Sequence, residues 1–120
     1  MALAAMLSNG TERGESNLKP HYSEFVRYCL RHYIRTQDEA PGCLPSFKTD
    51  AERENWSACH QVLKNYSVRD MDTISQIYRP GDTMSDKIYM LAKAKQIPQD
   101  TIWHLVSTTE KKIAQKRGLI

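Results

Sequence analysis

At 120 residues, 40% hydrophobic and 26% charged, the chain is long enough for one modest core and too short for two comfortable domains. That composition argues against a largely disordered chain, and no apolar run approaches the length of a membrane span. The three cysteines, Cys29, Cys43 and Cys59, form no CxxC pair, and their odd number argues against a secreted disulfide framework. MALAAML at the start lacks the basic leader and the apolar length of a signal peptide, so the expected location is soluble and cytoplasmic. The net charge of +3 is unevenly placed. From Asp82 onward seven basic residues (Lys87, Lys93, Lys95, Lys111, Lys112, Lys116, Arg117) face four acidic ones (Asp82, Asp86, Asp100, Glu110), and the first 81 residues hold ten of each. The excess fits a surface that faces phosphate, or an ordinary solvated helix face.

Residues 1–20 are expected to form a flexible N-terminal arm. SNGTERGESN has no apolar period, and Arg13 and Lys19 are balanced by Glu12 and Glu15, so it is not a basic tail. Residues 21–120 should form one helical domain. The first helix is expected over Ser23–Arg35, where Phe25, Val26, Cys29, Leu30, Tyr33 and Ile34 make one broad apolar stripe. Arg27, Arg31 and Arg35 recur opposite it and read as a solvated face whose stems cover apolar neighbours, with an acidic partner or nucleic acid as the alternative. Thr36–Lys48 contains Pro41, Gly42 and Pro45 and is read as a long connection, with Phe47 folding back as an anchor.

Thr49 with Glu52 forms a capping box for the second helix, whose Trp56, Cys59, Leu63 and Tyr66 share a face and which should end near Asn65. Ser67 with Asp70 starts a third helix at once, with Val68, Met71, Ile74 and Tyr78 on one side and Ile77 adjacent, and Pro80-Gly81 stops it. Thr83, with Asp86 three residues on, caps a fourth helix bearing Met84, Ile88, Leu91 and Ala92. After a tight connection at Gln96-Ile97-Pro98, Pro98 suits the first turn of a fifth helix. That helix carries Ile102, Leu105, Val106, Thr109 and Ile113 inward, and Gly118 suits the position just past its end. About five helices without a convincing strand make an all-α fold.

Short helix, tight turn and longer helix over residues 82–118 follow the helix-turn-helix plan. Ala92 is small where the helices cross, Ile97 lies just inside the turn, and Ile102 and Leu105 anchor the second helix. On these residues the stretch resembles the helix-turn-helix of RNA polymerase sigma factors (region 4) and of small phage late-transcription regulators related to them. AQKRGLI also looks like the ending of small proteins from phages and prophages of Gram-positive bacteria. Such motifs usually carry Gly in the turn, where this chain has Gln96, and an apolar residue is common where it has Lys95. The resemblance implies a phage or prophage DNA-binding transcriptional regulator in a bacterial host cell. Its partners would be double-stranded DNA and RNA polymerase, sometimes with self-association.

The outward set on the fifth helix is Gln99, Asp100, Trp103, His104, Ser107 and Thr108. Gln99, Trp103, His104 and Ser107 would form the recognition face; Gln99 suits adenine, and Ser107 suits base or phosphate. Lys111, Lys112, Lys116 and Arg117 would take phosphates. Asp100 repels phosphate, and a Trp such as Trp103 more often fills a core or a protein interface. Those two residues motivate the alternative reading: a phage-encoded protein-binding inhibitor of a host factor, such as a CRISPR effector nuclease or RNA polymerase. Against catalysis, Cys59 and His60 are neighbours whose side chains point about 100° apart on a helix, so they cannot pair. Cys29, His32, Cys59 and His60 lack the spacing of structural zinc ligands and read as core cysteines beside unrelated histidines. With no carboxylate pair or phosphate loop standing out, neither an enzyme nor a cofactor or metal is expected.

Overall fold

The computed structural model describes residues 20–120, so the expected arm lies outside the described residues apart from its last position. Five helices follow in chain order: α1 (Ser23–Glu39), α2 (Asp50–Leu63), α3 (Val68–Tyr78), α4 (Met84–Lys95) and α5 (Gln99–Lys116). No strand occurs among the described residues, and no helix there is long and apolar enough to cross a membrane. The chain is all-α, as its periodicity requires.

Local chemistry sets most of the boundaries. Thr49, Ser67 and Thr83 each have extended backbone and accept through the hydroxyl from the amides of Glu52, Asp70 and Asp86, at 3.1, 3.1 and 3.2 Å. Each bond satisfies an amide that the first helical turn would leave without a partner. Glu52 closes its side of the box one residue early, with Oε1 accepting from the Lys48 amide at 3.0 Å. At the other end of the fold, Gly118 (φ +73°) terminates α5. The Leu119 amide donates to Ala114 O and the Gly118 amide to Gln115 O, which is a full Schellman closure.

Three boundaries depart from expectation. α1 runs four residues beyond Arg35, to Glu39, because nothing before Pro41 breaks it and the Thr36 hydroxyl bonds back to Tyr33 O at 2.7 Å. α2 ends at Leu63 rather than Asn65. Pro98 is the residue before α5, with φ −63° and ψ 144°, not a member of its first turn.

α5 lies at the centre, packed on α1, α2 and α4, while α1 packs also on α2 and α3, and α3 on α4. The core between them contains Val26, Leu30, Ile34, Cys59, Ile74, Tyr78, Ile88, Ile102, Val106 and Ile113, all at most 2% exposed. Trp56 is buried against Tyr33 and Phe47, and its indole donates to Thr36 Oγ1 at 3.1 Å, so Phe47 does fold back as an anchor. Two expected core residues face outward. Phe25 is 39% exposed at the margin of the α1 stripe. Val68 is 89% exposed because it opens α3, before that helix reaches the core, and Thr73 and Ile77 are buried in its stead.

One polar feature joins three helices through the core. Glu110 on α5 is 3% exposed, and its Oε2 accepts from Arg27 Nε of α1 at 2.8 Å and from the Tyr78 hydroxyl of α3 at 2.5 Å. Arg27 therefore leaves the solvated row assigned to it, while Arg31 and Arg35 remain exposed. Glu110, counted with the surface charge of the C-terminal third, is an internal anchor.

Candidate functional site

The helical hairpin α4–α5 turns on Gln96. Its backbone is left-handed, φ 57° and ψ 45°, the conformation usually supplied by glycine. With Gln96 in that state, its own amide and that of Ile97, the latter at 3.0 Å, both donate to Ala92 O and close α4 through a left-handed cap. The departure from a Gly-bearing turn thus changes the residue and keeps the turn. Ala92, 6% exposed, lies in the core, and Ile102 at 1% anchors α5 behind it. Leu105 is half-buried, and Val106 is the fully buried residue of that turn. Lys95, which replaces an apolar residue, is half-buried with its ammonium 3.7 Å from Asp72.

The residues proposed to face DNA divide into three groups. Gln99, His104, Ser107, Lys111, Lys112 and Lys116 are exposed along α5. Trp103 is half-buried and packs on the core, so the exposed surface of the helix centres on His104, Ser107 and Lys111 and not on the indole. Arg117 faces the other way. Its Nε donates to Asn55 Oδ1 at 2.7 Å and its Nη1 to Glu54 Oε1 at 3.0 Å, which ties the end of α5 to α2. Lys112 has its ammonium 5.6 Å from the centre of the Tyr66 ring, and the Tyr66 hydroxyl pairs with Thr109 Oγ1 at 2.6 Å. Tyr66 thus holds α5 from the α2–α3 junction and fixes where Lys112 stands.

Beside this face runs a groove of about 660 Å³ between α3 and α5, closed at one end by the hairpin turn. Its apolar surface comes from Tyr66, Ile97, Ile102 and Leu105, and Arg69, Lys95 and Lys112 bring positive charge, with Asp70 as an acid among them. His104 and Thr108 line it too, so the outer face of α5 is one wall of a concavity. Sequence reasoning missed Arg69 and Tyr66 as parts of this surface. They lie outside the hairpin, and only the packing of α3 beside α5 brings them there.

The cysteines and histidines do not converge. Cys29 and Cys59 are buried core residues, and burial pushes both thiols up, Cys29 to about 11. His60 is exposed, stacks on Trp56 at 4.9 Å and pairs through Nδ1 with the Tyr33 hydroxyl at 3.1 Å, while the His32 Nδ1 pairs with Arg35. Among the described residues no group of three or more His, Cys, Asp or Glu is placed to hold a metal ion. No family model, curated protein or solved structure matches the chain.

Proposed function

We propose that the protein is a phage or prophage DNA-binding transcriptional regulator that uses the α4–α5 helix-turn-helix and carries out no catalysis. The observation that carries this reading is the combination of a glycine-like turn at Gln96 with a braced second helix whose outer face is polar and exposed. α1, α2 and α4 support α5 from behind, so its exposed side is held as a rigid surface of the width a major groove admits. Gln99, His104, Ser107 and Thr108 supply donors and acceptors for base edges, and Lys111, Lys112 and Lys116 continue the face with phosphate-binding charge. Arg117 is left out of the phosphate set because its guanidinium already serves Glu54 and Asn55. Trp103 acts as a packing residue that fixes the pitch of α5.

The test is a titration of the purified protein against labelled duplex DNA, including phage promoter segments, over a range of salt. Micromolar or tighter binding that weakens steeply with salt supports the reading. Absence of binding at low salt overturns it.

A further inference from the structure

We propose that the groove between α3 and α5 is a docking site for an acidic amphipathic segment of a partner protein. The groove combines two kinds of surface. Tyr66, Ile97 and Leu105 offer apolar area that a sugar-phosphate chain would leave unmatched, and burying such area drives association. Cations stand around it from three elements: Arg69 on α3, Lys95 at the end of α4 and Lys112 on α5. They are not equivalent. Lys95 already faces Asp72, Lys112 is held over the Tyr66 ring, and the Arg69 guanidinium has no ion-pair partner among the described residues.

An occupant must therefore insert apolar side chains and present carboxylates on both banks, at Arg69 and Lys112. A peptide with leucines on one face and glutamates flanking them does both, as in the helix-in-groove mode of recognition. A basic or purely apolar segment would leave the cations unpaired, which the partial desolvation of a groove penalises. The volume of about 660 Å³ lies within the roughly 300–1,000 Å³ of ordinary ligand sites and has room for several side chains. The proposal does not require DNA binding, but the groove shares Lys112, His104 and Thr108 with the proposed DNA face, so a docked segment and a duplex would compete there.

The experiment titrates the full-length 15N-labelled chain with a synthetic helix-forming peptide that has leucines on one face and glutamates elsewhere. The same peptide with lysine for glutamate, and a short duplex DNA, serve as the other probes. The expected result is amide shifts centred on Ile97, Leu105, Thr108 and Lys112 with the acidic peptide and none with the lysine peptide. Arg69→Glu combined with Lys112→Glu, both at exposed side chains, should weaken that binding about tenfold or more with helicity unchanged. Ile97→Asp, at a residue 37% exposed, should weaken it without unfolding the chain. Equal binding of both peptides, shifts centred elsewhere, or indifference to the Arg69 and Lys112 changes overturns the proposal. So does a groove whose amides move with the duplex and not with the acidic peptide, since that assigns the surface to nucleic acid.

Discussion

Glu110 carries more of the internal order than any surface charge. One carboxylate oxygen receives Arg27 from α1 and Tyr78 from α3; the carboxylate and the phenol are buried and the guanidinium is part-buried. Removing the acceptor takes the hydrogen-bonded counter-charge from a guanidinium whose side chain is only 15% exposed. Glu110→Ala should therefore lower stability by about 3 kcal/mol, within the range for broken buried pairs, as measured by urea unfolding. Tyr78→Phe removes one bond to a charged acceptor and should cost about 1.5–3 kcal/mol. The same residues predict an alkaline limit. Burial first, and the charge of Glu110 second, raise Tyr78 well above its ordinary value of 10.0, and burial raises Cys29 to about 11 from 9.0. These groups stay protonated in the folded chain after their unfolded counterparts ionise. Their contribution is fully present below about pH 9 and declines as pH rises from there through the folded-state values. Denaturation midpoints measured from neutral to alkaline pH should fall above about pH 9, and Tyr78→Phe should flatten the part of the decline that begins near pH 10.

At the scale of the element, several helix ends are set by devices that act over a few residues. Thr49, Ser67 and Thr83 cap starts, and Gly118 ends α5. Gln96 does the work of glycine while carrying a side chain, and a left-handed non-glycine residue costs about 1–2 kcal/mol. Gln96→Gly should consequently raise stability by up to about 1 kcal/mol, the gain being partly offset by the greater freedom of glycine in the unfolded chain. Thermal unfolding would register this as a midpoint higher by a few degrees, whereas Gln96→Val, with a branched Cβ in the same conformation, should lower it. DNA affinity should not change with either, because Gln96 lies in the turn and off the exposed face of α5.

For the whole molecule, the position of α5 decides which cations are structural and which are free. Its inner side locks to α1 and α3 through Glu110, its C-terminal end to α2 through Arg117, and its outer side faces solvent. Two substitutions should separate these roles. Arg117→Ala should lower stability by about 1–2 kcal/mol, chiefly through its part-buried bond to Asn55, since the pair with Glu54 is exposed, and leave the affinity of the folded protein for DNA nearly unchanged. Lys112→Glu with Lys116→Glu should do the reverse. Unfolding would shift little, DNA affinity would fall at every sequence alike, and the slope of log affinity against log salt would shrink by about 2. A double variant that binds DNA as tightly as the parent would remove the phosphate role from α5.

The sequence by itself determined the all-α class, the five helices in order, the start signals of α2, α3 and α4, and the fate of the core cysteines. Those features depend on spacing within a helical turn or two, where Thr49 and Glu52, or Ala92 and Ile97, are in physical reach through the chain alone. The tertiary structure alone decided that Arg27 meets Glu110 across 83 residues, that Arg117 turns to α2, that Trp103 leans into the core, and that Arg69 shares a groove with Lys112. Charge and hydropathy patterns record which side of a helix is wet. They carry no record of which other helix lies on that side, and a pairing made between distant helices leaves no periodic mark to read.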